Sequence, residues 1–145
     1  MTETFQNYQE VTLTEEIMAV SPEPDTGDVV FLLNCLCSEF VTIRYLAKHK
    51  LMIVLLLSKN GYTSIERYDE YIECVLGYLH KNKDIKRYRF LIKAVKDIFI
   101  TLNDPILFQR LIVERDKYKE VLKEMIEAKT EGYGDIDYHR HNPRS

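Results

Sequence analysis

The stretch that decides the fold class is SIERYDEYIECVLGYL, residues 64–79. Its apolar side chains recur at three- and four-residue steps, the spacing of one face of an α-helix: Ile65, Tyr68, Ile72, Val75 and Leu79. Basic residues His80, Lys81 and Lys83 follow, at the end where the helix dipole favours positive charge. The pattern predicts an amphipathic helix that begins after Ser64.

The sequence after this helix predicts two more helices. The first begins at Asp84 and repeats the same apolar spacing through Leu102. Asp104-Pro105 then supplies a helix cap followed by the residue type favoured at the first helical position. The last helix runs from there, ends by Gly132, and is predicted to bury five side chains: Leu107, Leu111, Tyr118, Leu122 and Met125.

The sequence before Ser64 is apolar without a clean period. Residues 28–57 are apolar on nearly every face, which indicates burial on nearly every face. We expect helices with breaks near Ser38 and near residues 48–50, although short apolar runs leave a strand open for 29–33 or 51–57. Gly61 closes the segment, because glycine readily adopts the left-handed conformation that ends a helix.

The chain ends differ from its middle. Thr12 and Glu15 have the spacing of a capping box and predict a short helix over residues 13–20, which the prolines of residues 21–27 stop. We expect a flexible arm over 1–12, a single helical domain over 13–131 and a flexible tail over 132–145. The predicted fold is therefore all-α: a compact helical bundle, or a short armadillo- or HEAT-like stack, of about five to seven helices.

Composition excludes several classes of function. The net charge of −3 does not favour a protein that grips nucleic acid phosphates. The longest apolar run, residues 51–57, is far shorter than the roughly 20 residues that span a bilayer, so no membrane insertion is expected. The N-terminus does not resemble a secretory signal, and three cysteines cannot all pair within one chain. We expect reduced thiols and an intracellular location, cytoplasmic or nuclear.

Part of the sequence resembles an armadillo-type repeat. The segments Phe31–Cys35, Ile43–Ala47 and Leu51–Leu57 follow the order of an Ala-Leu-x-Asn-Leu helix end, a short helix and a leucine-rich helix. A second such helix end lies at residues 75–79, which places Asn34 and Tyr78 44 positions apart, near the period of these repeats. The resemblance covers residues 29–102 and implies binding of a peptide or protein along a concave face that carries Asn34 and Tyr78.

Tyrosines and basic residues supply the other candidate binding residues. The chain has ten tyrosines and no tryptophan, and Tyr71 and Tyr78 lie off the main apolar stripe, as interface tyrosines do. Four basic residues share one helical stripe, suited to an acidic partner or nucleic acid: Lys86, Arg89, Lys93 and Lys96. We favour the alternative that acidic residues 66–73 of the preceding helix face this stripe across an antiparallel hairpin.

One pair of residues resembles a catalytic motif. Arg44 and His49 have the Arg-x4-His spacing of HEPN-type helical ribonucleases, in which the arginine and histidine act on a scissile phosphate. No other motif indicates an enzyme, because the sequence has no glycine-rich phosphate loop, calcium loop or arguable catalytic triad. Asp137, His139 and His141 offer metal-ligating atoms without a fourth ligand, so we expect no metal site and no cofactor.

The sequence therefore predicts a non-enzymatic protein–protein interaction module: a subunit or adaptor of a larger complex, or a regulator that binds a partner protein. The first alternative is a HEPN-like ribonuclease or its inactive relative. The others are a groove binder resembling the Bcl-2-like proteins, and a nucleic-acid-binding helical protein that uses residues 81–96.

Overall fold

The computed structural model describes the backbone of residues 2–129 and the side chains of residues 9–129 except that of Ile65. This range contains seven α-helices and no strand: α1 (Thr2–Met18), α2 (Thr26–Cys35), α3 (Val41–Lys59), α4 (Ile65–Lys81), α5 (Tyr88–Leu102), α6 (Pro105–Val113) and α7 (Lys119–Ala128). The predicted all-α class is confirmed, and the strand alternatives for 29–33 and 51–57 are wrong. The predicted tail over 132–145 lies outside the described residues.

Helix α1 begins at Thr2, eleven positions before the predicted start at Leu13. Residues 2–12 contain neither proline nor glycine, so nothing in them stops a helix, although they have no apolar period. The capping box is not used, because Thr12 and Glu15 both lie inside α1 and not at its start. The predicted boundary at residue 12 is therefore not a helix boundary.

Helix α3 is continuous through residues 48–50, so the break predicted there is wrong. The charged residues do not interrupt the helix, because lysine is a good helix former. The Lys48 ammonium lies 3.2 Å from the Asp97 carboxylate at the edge of the core, and the neighbouring Ala47 is fully buried. The break predicted near Ser38 is confirmed, since it separates α2 from α3. The stop at Gly61 is also confirmed by its left-handed backbone (φ 86°).

The helix starts predicted at Ser64 and Asp104 are confirmed. The Ser64 hydroxyl accepts the amide of Glu66, and one Asp104 carboxylate oxygen accepts the amides of Ile106 and Leu107. Helix α5, in contrast, begins at Tyr88 rather than Asp84, after turns over 82–87. The predicted last helix is two helices, because turns over 114–118 separate α6 from α7.

Six of the described helices form two layers. In the first layer α1 packs against α3, α3 against α5, and α5 against α7; in the second, α2 packs against α4, and both contact α3. Two tyrosines of α4 show its direction relative to α2. The Tyr71 hydroxyl donates to the carbonyl of Pro24, just before α2, and the Tyr78 hydroxyl, two turns later, donates to the side chain of Asn34 near the end of α2. Helices α2 and α4 therefore run in the same direction. Helix α3 is central, and one of its faces is fully buried.

Candidate protein-binding surface

The face of α3 opposite the core is apolar and exposed. Val41, Tyr45, His49 and Ile53 follow one another at four-residue spacing, so they share one side of the helix. The exposed fractions of Val41, Tyr45 and Ile53 are 66%, 59% and 51%. We call these four residues the α3 face. None of them is lysine, arginine or a carboxylic acid, and half-buried Met52 and Leu56 continue the apolar surface.

Two neighbouring helices border the α3 face. On one side, the Thr42 hydroxyl donates to the Glu10 carboxylate of α1. On the other, the Arg44 guanidinium lies 4.0 Å from the centre of the Phe90 ring of α5. Thr42 and Arg44 point about 160° apart around the helix axis, and Tyr45 lies between them. The α3 face is thus a strip between an α1 rim and an α5 rim.

The basic stripe of Lys86, Arg89, Lys93 and Lys96 does not face the acidic residues 66–73 of the preceding helix. The prediction that these acids neutralise it is wrong. Helix α4 packs against α2 and α3 instead of forming a hairpin with α5. Its Glu70 and Glu73 pair with Arg67 and Arg110, and the hydrogen bond from Arg110 lowers the pKa of Glu73. Among the described residues, exposed Lys86, Arg89 and Lys93 have no carboxylate within 4.0 Å, whereas Lys96 lies 3.0 Å from Asp97.

Asn34 and Tyr78, predicted to share a binding face, contact each other. The Tyr78 hydroxyl donates to the Asn34 side-chain oxygen, and burial raises the pKa of Tyr78 to about 12. Asn34 also lines an open cavity of about 460 Å³, together with Phe31, Phe40 and Arg87. The 44-residue spacing therefore corresponds to a contact between α2 and α4 at the edge of this cavity.

Tyr71 is not an interface residue, contrary to prediction. Its side chain is fully buried and its hydroxyl donates to the carbonyl of buried Pro24 at 2.6 Å. The sequence pattern misplaced it because α4 packs against both α2 and α3, so its buried face is wider than the periodic stripe. Tyr71 fixes the loop before α2 to the core.

Arg44 and His49 make separate contacts. They point about 140° apart on α3, since five residues separate them at 100° each. The Arg44 guanidinium donates to the carbonyl of Ser38 at 2.8 Å and covers Phe90. The exposed His49 ring meets the Tyr45 ring edge-on, with centroids 4.4 Å apart. Within one chain, the two side chains do not converge on a common point.

The cysteines show no sign of reactivity. All three are free, and burial raises the pKa of the Cys35 thiol to about 11 and raises those of Cys37 and Cys74 as well. Raised pKa values disfavour the thiolate, the form that attacks substrates and binds metals. The described part of the chain has no group of three potential metal ligands, and residues 137–141 lie outside it.

No protein-family model, curated protein or solved structure matches this chain. None of the described helices is long and apolar enough to cross a membrane. The α3 face is also absent from the sequence predictions. Its only signal was the four-residue spacing from Val41 to Ile53, within a stretch predicted to be buried on nearly every side.

Proposed function

We propose that this chain is a non-enzymatic protein-interaction module, a subunit or adaptor of a larger complex or a regulator, and that it binds through the α3 face. The observation that carries the proposal is the exposure of Val41, Tyr45 and Ile53, each more than half exposed, on the central helix of the fold. Covering apolar surface stabilises a complex by roughly 25 cal/mol per Å² removed from water, before the costs of association.

The chemistry of the surface supports a protein partner over nucleic acid. Aliphatic side chains such as Val41 and Ile53 pack against other apolar side chains, while nucleic acid binding relies on cations along the backbone and on aromatic stacking. Exposed Arg89 and Lys93 lie on α5, whose Phe90 contacts Arg44 of α3, and the chain as a whole carries a net charge of −3. The basic segment thus borders the binding surface as a charged rim.

Two earlier resemblances bear on this proposal in different ways. The two-layer arrangement, with α2 and α4 parallel, supports an armadillo- or HEAT-like stack that presents one layer to a partner. The HEPN-like alternative requires Arg44 and His49 to act together in a cleft between two chains. The engagement of Arg44 with Ser38 and Phe90 gives that alternative no support.

The variant Tyr45→Asp tests the proposal, because it places a charge in the middle of the α3 face. Tyr62→Asp is the matched control: Tyr62 is 77% exposed but lies in the connection between α3 and α4. We expect affinity purification of the tagged full chain, with mass spectrometry, to recover a protein that Tyr45→Asp loses and Tyr62→Asp retains. Equal recovery by all three proteins would contradict the proposal.

A further inference from the structure

The two rims of the α3 face carry opposite charge. Helix α1 carries Glu10, which accepts a hydrogen bond from Thr42 of α3, and the exposed Glu15, and it contains no basic residue. Exposed Val11 and Met18 share a helical face with Glu15, at steps of four and three residues. The exposed side chains of α1 are therefore apolar and acidic.

The α5 rim is basic. Helix α5 carries exposed Arg89 and Lys93, one and three residues from Phe90, which is 39% exposed and contacts Arg44 of α3. The single acid of α5, Asp97, is occupied by two cations, because the ammonium groups of Lys48 and Lys96 lie 3.2 and 3.0 Å from its carboxylate oxygens. Helix α1 on one side of the α3 face is thus negative, helix α5 on the other side is positive, and none of the four residues between them is lysine, arginine or a carboxylic acid.

We infer that the chain that covers the α3 face is a second copy of this chain. A two-fold axis parallel to α3 sets the two α3 faces against each other and places the α1 rim of each copy over the α5 rim of the other. The apolar side chains of the two α3 faces then pack against each other. The acidic residues of α1 in each copy lie opposite the basic residues of α5 in the other copy, so this contact occurs twice. A symmetric interface requires such a self-complementary patch.

Charge complementarity favours a second copy over a foreign helix of uniform charge. An acidic helix laid along the α3 face would pass beside Glu10 and Glu15, and a basic helix would pass beside Arg89 and Lys93. Either would meet a rim of like charge, which disfavours association. This inference rests on the proposed function and specifies its partner.

Sedimentation velocity of the purified full chain tests the inference. We expect a dimer for the wild type and for Tyr62→Asp, and a monomer for Tyr45→Asp, with circular dichroism showing that all three are folded. A wild type that stays monomeric as its concentration rises, or a dimer that Tyr45→Asp leaves intact, would overturn the inference. If Tyr45-dependent capture of another protein persisted in either case, the proposed function would stand without it.

Charge-reversal variants test the relative orientation of the two copies, in which α1 of one copy lies over α5 of the other. Lys93→Glu and Glu15→Lys each create two contacts between like charges in the symmetric dimer, so each should raise the dissociation constant about tenfold at low salt. The double variant restores opposite charges and should return the constant to near the wild-type value. Lys123→Glu, the same change at an exposed position of α7, is the control. A double variant weaker than either single one would overturn the proposed arrangement.

Discussion

Replacing Tyr71 by alanine should lower the free energy of unfolding by about 3 to 5 kcal/mol, the usual cost of truncating a large buried aromatic side chain. Tyr71 is a fully buried residue of α4, which packs against α2 and α3, and its hydroxyl donates a hydrogen bond to the carbonyl of Pro24. The substitution therefore leaves both a cavity and a buried carbonyl without its donor. Urea denaturation followed by circular dichroism measures the effect.

Two further variants are compared with Tyr71→Ala. One separates the contribution of the Tyr71 ring to stability from that of its hydroxyl, and the other measures the contribution of a tyrosine at the surface. Tyr71→Phe keeps the ring and removes only the donor to Pro24, so a loss of about 1 to 3 kcal/mol is expected. Tyr62→Ala, at a position that is 77% exposed, should change stability by no more than about 0.5 kcal/mol. If Tyr71→Ala were as harmless as Tyr62→Ala, Tyr71 would be a surface residue, as the sequence pattern suggested.

Replacing Leu51 by alanine should cost about 2 to 5 kcal/mol of stability, because Leu51 is fully buried on the helix that contacts α1, α2, α4 and α5. Ile53→Ala is the matched control. It removes an aliphatic side chain two positions further along the same helix, on the α3 face, where Ile53 is 51% exposed. We expect Ile53→Ala to cost less than about 1 kcal/mol at concentrations where the chain is monomeric.

The ratio of the stability losses of Leu51→Ala and Ile53→Ala tests which side of α3 faces the core. Both losses are measured by thermal or urea unfolding of the two variants at the same dilute concentration. Similar losses for Leu51→Ala and Ile53→Ala would mean that α3 is buried on both sides, and the α3 face would not be available to a partner.

The parts of the fold that the sequence predicted well depend on local interactions. The starts of α4 and α6 are determined by Ser64 and Asp104, whose side chains accept hydrogen bonds from backbone amides two or three residues away. The end of α3 depends on the conformational freedom of Gly61. Such signals act within one helical turn, so neighbouring helices do not alter them.

The misplaced boundaries are not marked by a local signal in the sequence. Residues 48–50 continue a helix because lysine is a good helix former and because Ala47 and Leu51 on either side of them are fully buried. Leu111 and Tyr118 keep a helical spacing across the turn that separates α6 from α7, so the pattern alone does not show the division. The start of α1 was missed because its first residues lack apolar period altogether.

The candidate site was only partly predictable for the same reason. A helix such as α3, apolar on nearly all sides, gives no internal sign of which side its neighbours leave exposed. The neutralisation proposed for the basic stripe failed because it assumed that α4 and α5 pack as a hairpin. The 44-residue spacing of Asn34 and Tyr78 led to the prediction of a shared binding face, but it did not show that the two side chains form a hydrogen bond with each other.

The most direct test of the central claim, that this chain acts by binding protein through the α3 face, is site-specific photocrosslinking of the full chain in cells. A benzophenone amino acid at position 45 should form a covalent adduct with protein, expected to be a second copy, and the same residue at position 62 should not. Absence of any protein adduct at position 45, or an adduct with RNA alone, would contradict the claim.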